Sequence, residues 1–216
     1  MMHPKGTFTS NLWQSIDGIY QQITHSIFFV QLANGKLSKT AFAHYLSQDI
    51  LYLHKDYEAL EILSDKAPDT TSATLLQTLA DDAIGNEKIL HDEYLGFYNV
   101  PEAKELSPAF KAYCDFLLYQ VHHSSFETAA AALLPCFWIY SCSGQLLLEK
   151  QTPDNPYQKF ILTYAEGTYT ILTEQFIEMV EDIGKGVSLP EQKMMTDAFI
   201  QSAQFELSIF EESGTG

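Results

Sequence analysis

The chain has 216 residues, 46% of them apolar and 13% aromatic, and its 28 acids against 12 bases give a net charge of −16. Every base is lysine, so nothing in it supplies the guanidinium forks of a nucleic-acid patch or the basic face of a membrane-surface helix, and neither partner is expected. The odd count of three cysteines, the absence of a basic-then-apolar leader and the shortness of the apolar runs predict a reduced, cytoplasmic protein without structural disulfides.

No linker or composition break divides residues 1–216, which read as a single domain. The pattern is helical nearly throughout, with about seven helices and no alternating strand. The first spans 10–25 with Leu12, Trp13, Ile16, Ile19, Tyr20 and Ile23 at helical spacing, and is followed by an extended Phe28–Leu32 and a turn at Ala33-Asn34-Gly35. Ser38 caps the second, whose inner stripe runs Phe42, Tyr45, Leu46, Asp49, Leu53, Asp56, Leu60 and Leu63. A third covers 71–98, with Pro101 beyond it. Ser107-Pro108 opens the fourth and Ser124-Ser125-Phe126-Glu127, with capping-box spacing, the fifth, which closes near Lys150. Asn155 is a cap for a sixth helix reaching Gly184, and Ser188-Leu189-Pro190-Glu191 starts the seventh. The architecture implied is an all-α bundle with its pocket between helices.

The chemistry gathers around Leu133-Leu134-Pro135-Cys136-Phe137-Trp138-Ile139-Tyr140 on the fifth helix. Proline lacks the N–H and clashes one turn back, so a kink or break is expected there, with Cys136 near the freed N–H groups of a new segment that would favour its thiolate. The competing reading is an inert buried thiol, the usual state of such a cysteine and the one expected of Cys114 and Cys142. Phe42, Asp49 and Asp56 lie at seven-residue steps, within about 20° of one line along their helix. A carboxylate there must find a donor, a cation or a proton, so Asp49 and Asp56 are either structural ion-pair members or parts of a site. Tyr52, three residues after Asp49, can share its pocket. Glu206 occupies the apolar stripe Phe199-Ala203-Glu206-Phe210, where a raised pKa would let it serve as acid and base in turn, or where it could be a lone acid bonded to a tyrosine. Tyr113 and Tyr164 are each either core tyrosines or site hydroxyls. His122-His123 with Glu127, and Glu87 with His91, have helical ligand spacing but lack the carboxylate set of a di-iron bundle, so no metal and no cofactor is expected.

In order and spacing, Leu46-Ser47-Gln48-Asp49-Ile50-Leu51-Tyr52-Leu53, the Leu-Pro-Cys stretch, Pro156-Tyr157-Gln158-Lys159-Phe160 leading to Thr163-Tyr164, and Glu206 resemble the TenA family of thiaminase II and aminopyrimidine aminohydrolase proteins. The resemblance implies an all-α, heme-oxygenase-like bundle, assembled as a homotetramer. It implies hydrolysis of the aminomethyl-pyrimidine breakdown product of thiamine to the hydroxymethyl pyrimidine and ammonia, for salvage, with slower cleavage of thiamine. By the same resemblance Cys136 is the nucleophile that adds to the pyrimidine, Glu206 transfers protons at the ring and leaving group, and Asp49 pairs with the amidine-like edge. Tyr113, Tyr140 and Tyr164 orient base, thiol and acid, and Tyr52 packs on the ring. The chain departs from the family pattern at Ile209, where an aromatic is frequent, and at Ala165-Glu166 in place of Gly-Gly. Two alternatives stand beside this: a non-catalytic or regulatory pyrimidine-binding protein using the same pocket, and a metal-dependent oxidase on a similar bundle.

Overall fold

The computed structural model describes residues 2–90 and 103–214, and of 86–90 only the backbone. The chain begins with α1 (Thr7–Ser15) and α2 (Asp17–His25), not one long helix. The Ser15 hydroxyl donates to the Leu12 carbonyl at 2.6 Å, and the Ile16 N–H bonds three residues back to Trp13, tightening the last turn of α1. Ile16 itself is fully buried, so the joint is held by packing as well.

The segment 28–32 is not extended. It forms α3 (Ile27–Ala33), because the Ser26 hydroxyl caps Phe29 N–H at 3.2 Å and Phe28, Phe29, Leu32 and Ala33 then fall on one buried face. Asn155, expected to cap a later helix, instead fastens the end of α3. Its amide donates to the carbonyls of Leu32 (2.8 Å) and Ala33 (3.1 Å), while its Oδ1 accepts from Tyr157 N–H (2.9 Å).

Ser38 caps α4 (Lys39–Asp65) through Ala41 N–H at 3.0 Å, as its sequence position predicts. Next comes α5 (Thr70–Leu90), whose expected continuation to residue 98 lies outside the described residues. Then α6 (Pro108–His123) starts with its proline at a position needing no N–H donor. Ser125, one residue later than expected, caps α7 (Phe126–Lys150) through Thr128 N–H.

Helix α7 runs unbroken through Pro135, so no second helix begins at Cys136. Leu133, Leu134, Trp138 and Ile139 are all fully buried on it, each contributing roughly 1.5–3 kcal/mol of apolar burial that outweighs one missing hydrogen bond. By length and composition α7 could cross a membrane, but it is the buried axis of the bundle, packed by α6, α8, α9 and α10. At Gly144 a Cβ would stand 2.8 Å from the backbone of Tyr164 and Ala165, so glycine is what lets α8 (Gln158–Ala165) approach.

The expected sixth helix is also two. Between α8 and α9 (Gly167–Gly186), Glu166 is extended at φ −143° and ψ 176°, and Gly167 takes φ 73°, in the left-handed region that favours glycine. This break turns Tyr164 and Tyr169 toward each other, with ring centroids 5.1 Å apart. Finally α10 (Leu189–Ser213), capped by Ser188, lies along α7. One apolar cluster draws on all ten helices of the described residues.

Candidate active site

Helix α4 carries Tyr45, Asp49, Tyr52 and Asp56 at steps of four, three and four, which places all four side chains on one buried face. Against that face stand Cys136 and Tyr140 of α7, Tyr164 of α8 and Tyr169 of α9. Asp49, Tyr52, Asp56 and these four line a narrow pocket of about 30 Å³, completed by Leu53, Phe137, Asp82 and Ala83. Tyr113 and Glu206 stand behind this lining. Tyr113 stacks on Tyr52 at 5.4 Å and 28°, and Phe205 of α10 stacks on Tyr113 at 5.7 Å and 19°. A row of rings thus backs the pocket, and Phe205 supplies an aromatic face near Glu206 where Ile209 does not; Ile209 is buried in the core.

Hydrogen bonds tie the polar groups together. Tyr45 donates to Asp49 Oδ1 at 3.4 Å, and its hydroxyl lies 3.0 Å from that of Tyr140. The Tyr113 and Ser202 hydroxyls are 2.7 Å apart. Tyr169 donates to the carbonyls of Cys136 and Phe137, both at 3.4 Å, at the place on α7 that follows Pro135. Glu206 is 1% exposed, and neither carboxylate oxygen makes a hydrogen bond of regular geometry among the described residues. Tyr113 and Cys136 lie close enough to favour its charged form.

The electrostatics follow from burial. Glu206 is pushed up to about 8, by desolvation above all and then by Asp49 and Asp56 against the pull of Tyr113 and Cys136, so at neutral pH it is mostly a protonated acid. Asp56 rises to about 7, by burial and by Asp49. The Cys136 thiol is pushed well up, first by burial and then by Asp56 and Glu206, with Tyr52 opposing. The expectation of an easily formed thiolate is therefore corrected. Without a helix start at Cys136 there are no free N–H groups beside it, and carboxyl groups face it instead. The arrangement holds a neutral thiol beside protonatable acids, ready to exchange protons once a substrate supplies a place for one.

All seven residues singled out from the sequence, Cys136, Glu206, Asp49, Tyr52, Tyr113, Tyr140 and Tyr164, converge on this pocket or the layer behind it. Tyr45, Tyr169 and Ser202 were missed as site residues. Tyr45 carried a usable signal, since it precedes Asp49 by one helical turn on the same stripe. His122 and His123 are exposed at the end of α6, while His91 and the Glu87 side chain lie outside what is described. Among the described residues no three His, Cys, Asp or Glu side chains are arranged to hold a metal ion. A wider concavity, between the start of α5 and α9, is lined by Thr70, Thr74, Leu75, Leu172, Met179 and Ile183 with Asp69, Glu178 and Asp182. It contains no thiol and no buried carboxyl, so the reactive chemistry belongs to the smaller pocket.

The model of the family described as TENA/THI-4/PQQC matches residues 13–213. The chain is 31% identical to the thiamine biosynthesis multifunctional protein ThiED of Corynebacterium efficiens over 97% of its own length, and spans 29% of that larger protein. It is 28% identical to an aminopyrimidine aminohydrolase of Halalkalibacterium halodurans, covering 93% of this chain and 92% of the relative. A TenA homologue from Pyrococcus furiosus shares its fold with a TM-score of 0.91 at 17% identity, over 96% of this chain and all of the other. A domain from Shewanella denitrificans described as having a heme oxygenase-like fold matches with a TM-score of 0.75 at 13% identity, over 94% of this chain and 90% of the other. The fold is thus an all-α, heme-oxygenase-like bundle.

Proposed function

The chain belongs to the TENA/THI-4/PQQC family, and from that premise we propose that it is an aminopyrimidine aminohydrolase of the thiaminase II type. It would convert 4-amino-5-aminomethyl-2-methylpyrimidine and water to the hydroxymethyl pyrimidine and ammonia, and cleave thiamine more slowly. The observation that carries this reading is a buried thiol, Cys136, set beside a buried carboxyl, Glu206, that is protonated at neutral pH, at one aromatic-lined pocket. The names of relatives such as the Halalkalibacterium enzyme support the same reading.

In this mechanism Asp49, held by Tyr45, accepts N–H donors from the aminopyrimidine edge, while Tyr52 and the rings behind it support the ring face. The Cys136 thiol adds to an electron-poor ring carbon, forming the C–S bond as its proton passes through the carboxyl groups to a ring nitrogen. Glu206 gives its proton to the exocyclic nitrogen, which leaves as ammonia. The resulting carboxylate takes a proton from water as the water oxygen bonds to the exocyclic carbon. Loss of the thiol and of the added ring proton restores aromaticity and the resting enzyme. Water enters, ammonia leaves and nothing is oxidised. The tyrosine hydroxyls, all pushed up by burial, stay protonated and act as fixed donors rather than proton carriers.

The same reading makes residues 1–216 one catalytic domain, cytoplasmic and homotetrameric. The test is to supply the aminomethyl pyrimidine and thiamine separately and follow ammonia and the freed thiazole alcohol. Ammonia release faster than thiamine cleavage is expected. Tight pyrimidine binding without any product would overturn the enzymatic reading.

A further inference from the structure

Asp56 touches no group of the substrate in the mechanism above, yet it lines the same pocket as Cys136 and is 1% exposed. Its Oδ1 has no hydrogen-bond partner, and no cation acts on the carboxyl, among the described residues, which offer no partner for the structural ion-pair reading left open by the sequence. Burial of an unpaired carboxyl oxygen is expensive and persists where something arrives to satisfy it.

The surroundings say what that something is. Asp49 on the same helix, Asp82 of α5 and Cys136 of α7 share the pocket lining, and no lysine or histidine among the described residues does. Cys114 of α6 also feels Asp56, which helps to hold its thiol up at about 12, behind burial as the main cause. Among the described residues every titratable group facing Asp56 is therefore an acid or a neutral thiol or phenol, and the charge that would complement them is positive. Asp56 lies seven residues beyond Asp49, about 10 Å along the helix axis. That separation suits a ring held at one end by Asp49 with a side arm directed at the other.

We propose that Asp56 binds the cationic nitrogen of the departing group, so that the pocket selects aminopyrimidines carrying a protonated amine over otherwise equal neutral ones. This rests on the aminopyrimidine hydrolase reading and adds to it the charge class of the substrate's departing arm. The carboxyl, near 7 when empty, ionises as the cation arrives and then takes one proton from it, leaving the neutral amine to which Glu206 gives the proton of the leaving step.

The experiment measures binding in the full chain carrying Cys136→Ser, so that no turnover intervenes. The probes are the aminomethyl pyrimidine and its neutral hydroxymethyl analogue, titrated calorimetrically at pH 7.5. The amine is expected to bind about 10-fold more tightly or better, the yield of one charge-assisted hydrogen bond. In Cys136→Ser/Asp56→Asn that preference should fall to within about 2-fold while the hydroxymethyl affinity holds. Equal affinities before Asp56 is changed would overturn the proposal without any need for the second variant to fold. So would a preference that survives Asp56→Asn. Binding of neither probe would sink the aminopyrimidine reading itself, and is a different result from binding both alike.

Discussion

Two thiols ride on α7 six residues apart, and they live in different worlds. Both are buried, and burial pushes both up, Cys142 to about 12 and Cys136 well above its ordinary value. Cys142 faces the Met2 carbonyl at 3.8 Å and the indole of Trp138, which itself packs on Trp13 at 4.7 Å. Among the described residues no carboxyl group acts on it. Cys136 instead faces Asp56, Glu206 and Tyr52 across a lined pocket. What separates a reactive cysteine from a packing one here is therefore the company of protonatable acids, since exposure and acidity do not distinguish them.

The largest test of that contrast is to remove each thiol. Cys136→Ser should lower ammonia release by on the order of 10⁴-fold with the helical circular dichroism unchanged. Glu206→Gln, which keeps the shape and deletes the proton, should lower kcat by about 10²–10⁴-fold. It should also abolish the fall in activity that the wild type shows as pH rises through about 8, where Glu206 loses the proton it donates. Asp49→Asn should raise KM by about 10–100-fold, the scale of a buried hydrogen bond to a charged acceptor. Tyr45→Phe, which removes the link from Asp49 to Tyr140, should weaken kcat/KM by about 5–10-fold.

A smaller effect appears in stability. Asp56 and Glu206 have folded-state values near 7 and 8 against ordinary values of 3.8 and 4.5. Below about pH 3 both are mostly protonated in folded and unfolded chains alike, and they carry little penalty. Stability then falls as pH rises from about 3 to 8, because the unfolded chain ionises these groups first, and it levels off above the folded values. Asp56→Asn and Glu206→Gln should accordingly raise the melting temperature at pH 8–9 and leave it nearly unchanged at pH 3. At the other end of α7, Cys142→Ser should change turnover by less than about 2-fold while lowering stability by about 1 kcal/mol, as polar substitution in a packed core does.

Much of this was legible in the residues. Ser38, Pro108 and Ser188 mark helix starts at their sequence positions because capping is local chemistry. Asp49 stood out as a carboxylate on an apolar line, and Cys136 and Tyr140 as one face of one helix. The breaks at Ile16 and Glu166, and the helix at 27–33, were not legible, because they depend on distant partners. Asn155 clasps the end of α3 from more than a hundred residues away, and Gly167 turns only because α9 must return across the bundle. The state of the Cys136 thiol was misread for a related reason. Proline suggested a helix start, but the packing of α7 on the helices around it carries it straight through. Tyr45 and Tyr169 looked like any core aromatic until their hydroxyls were seen to meet Tyr140 and the Cys136 carbonyl.

The most direct measurement is steady-state ammonia release from the aminomethyl pyrimidine by the wild type, Cys136→Ser and Cys142→Ser, side by side at pH 7.5. The account predicts loss of turnover in the first variant and near-wild-type rates in the second. Retained turnover in Cys136→Ser, or equal loss in both, would contradict it.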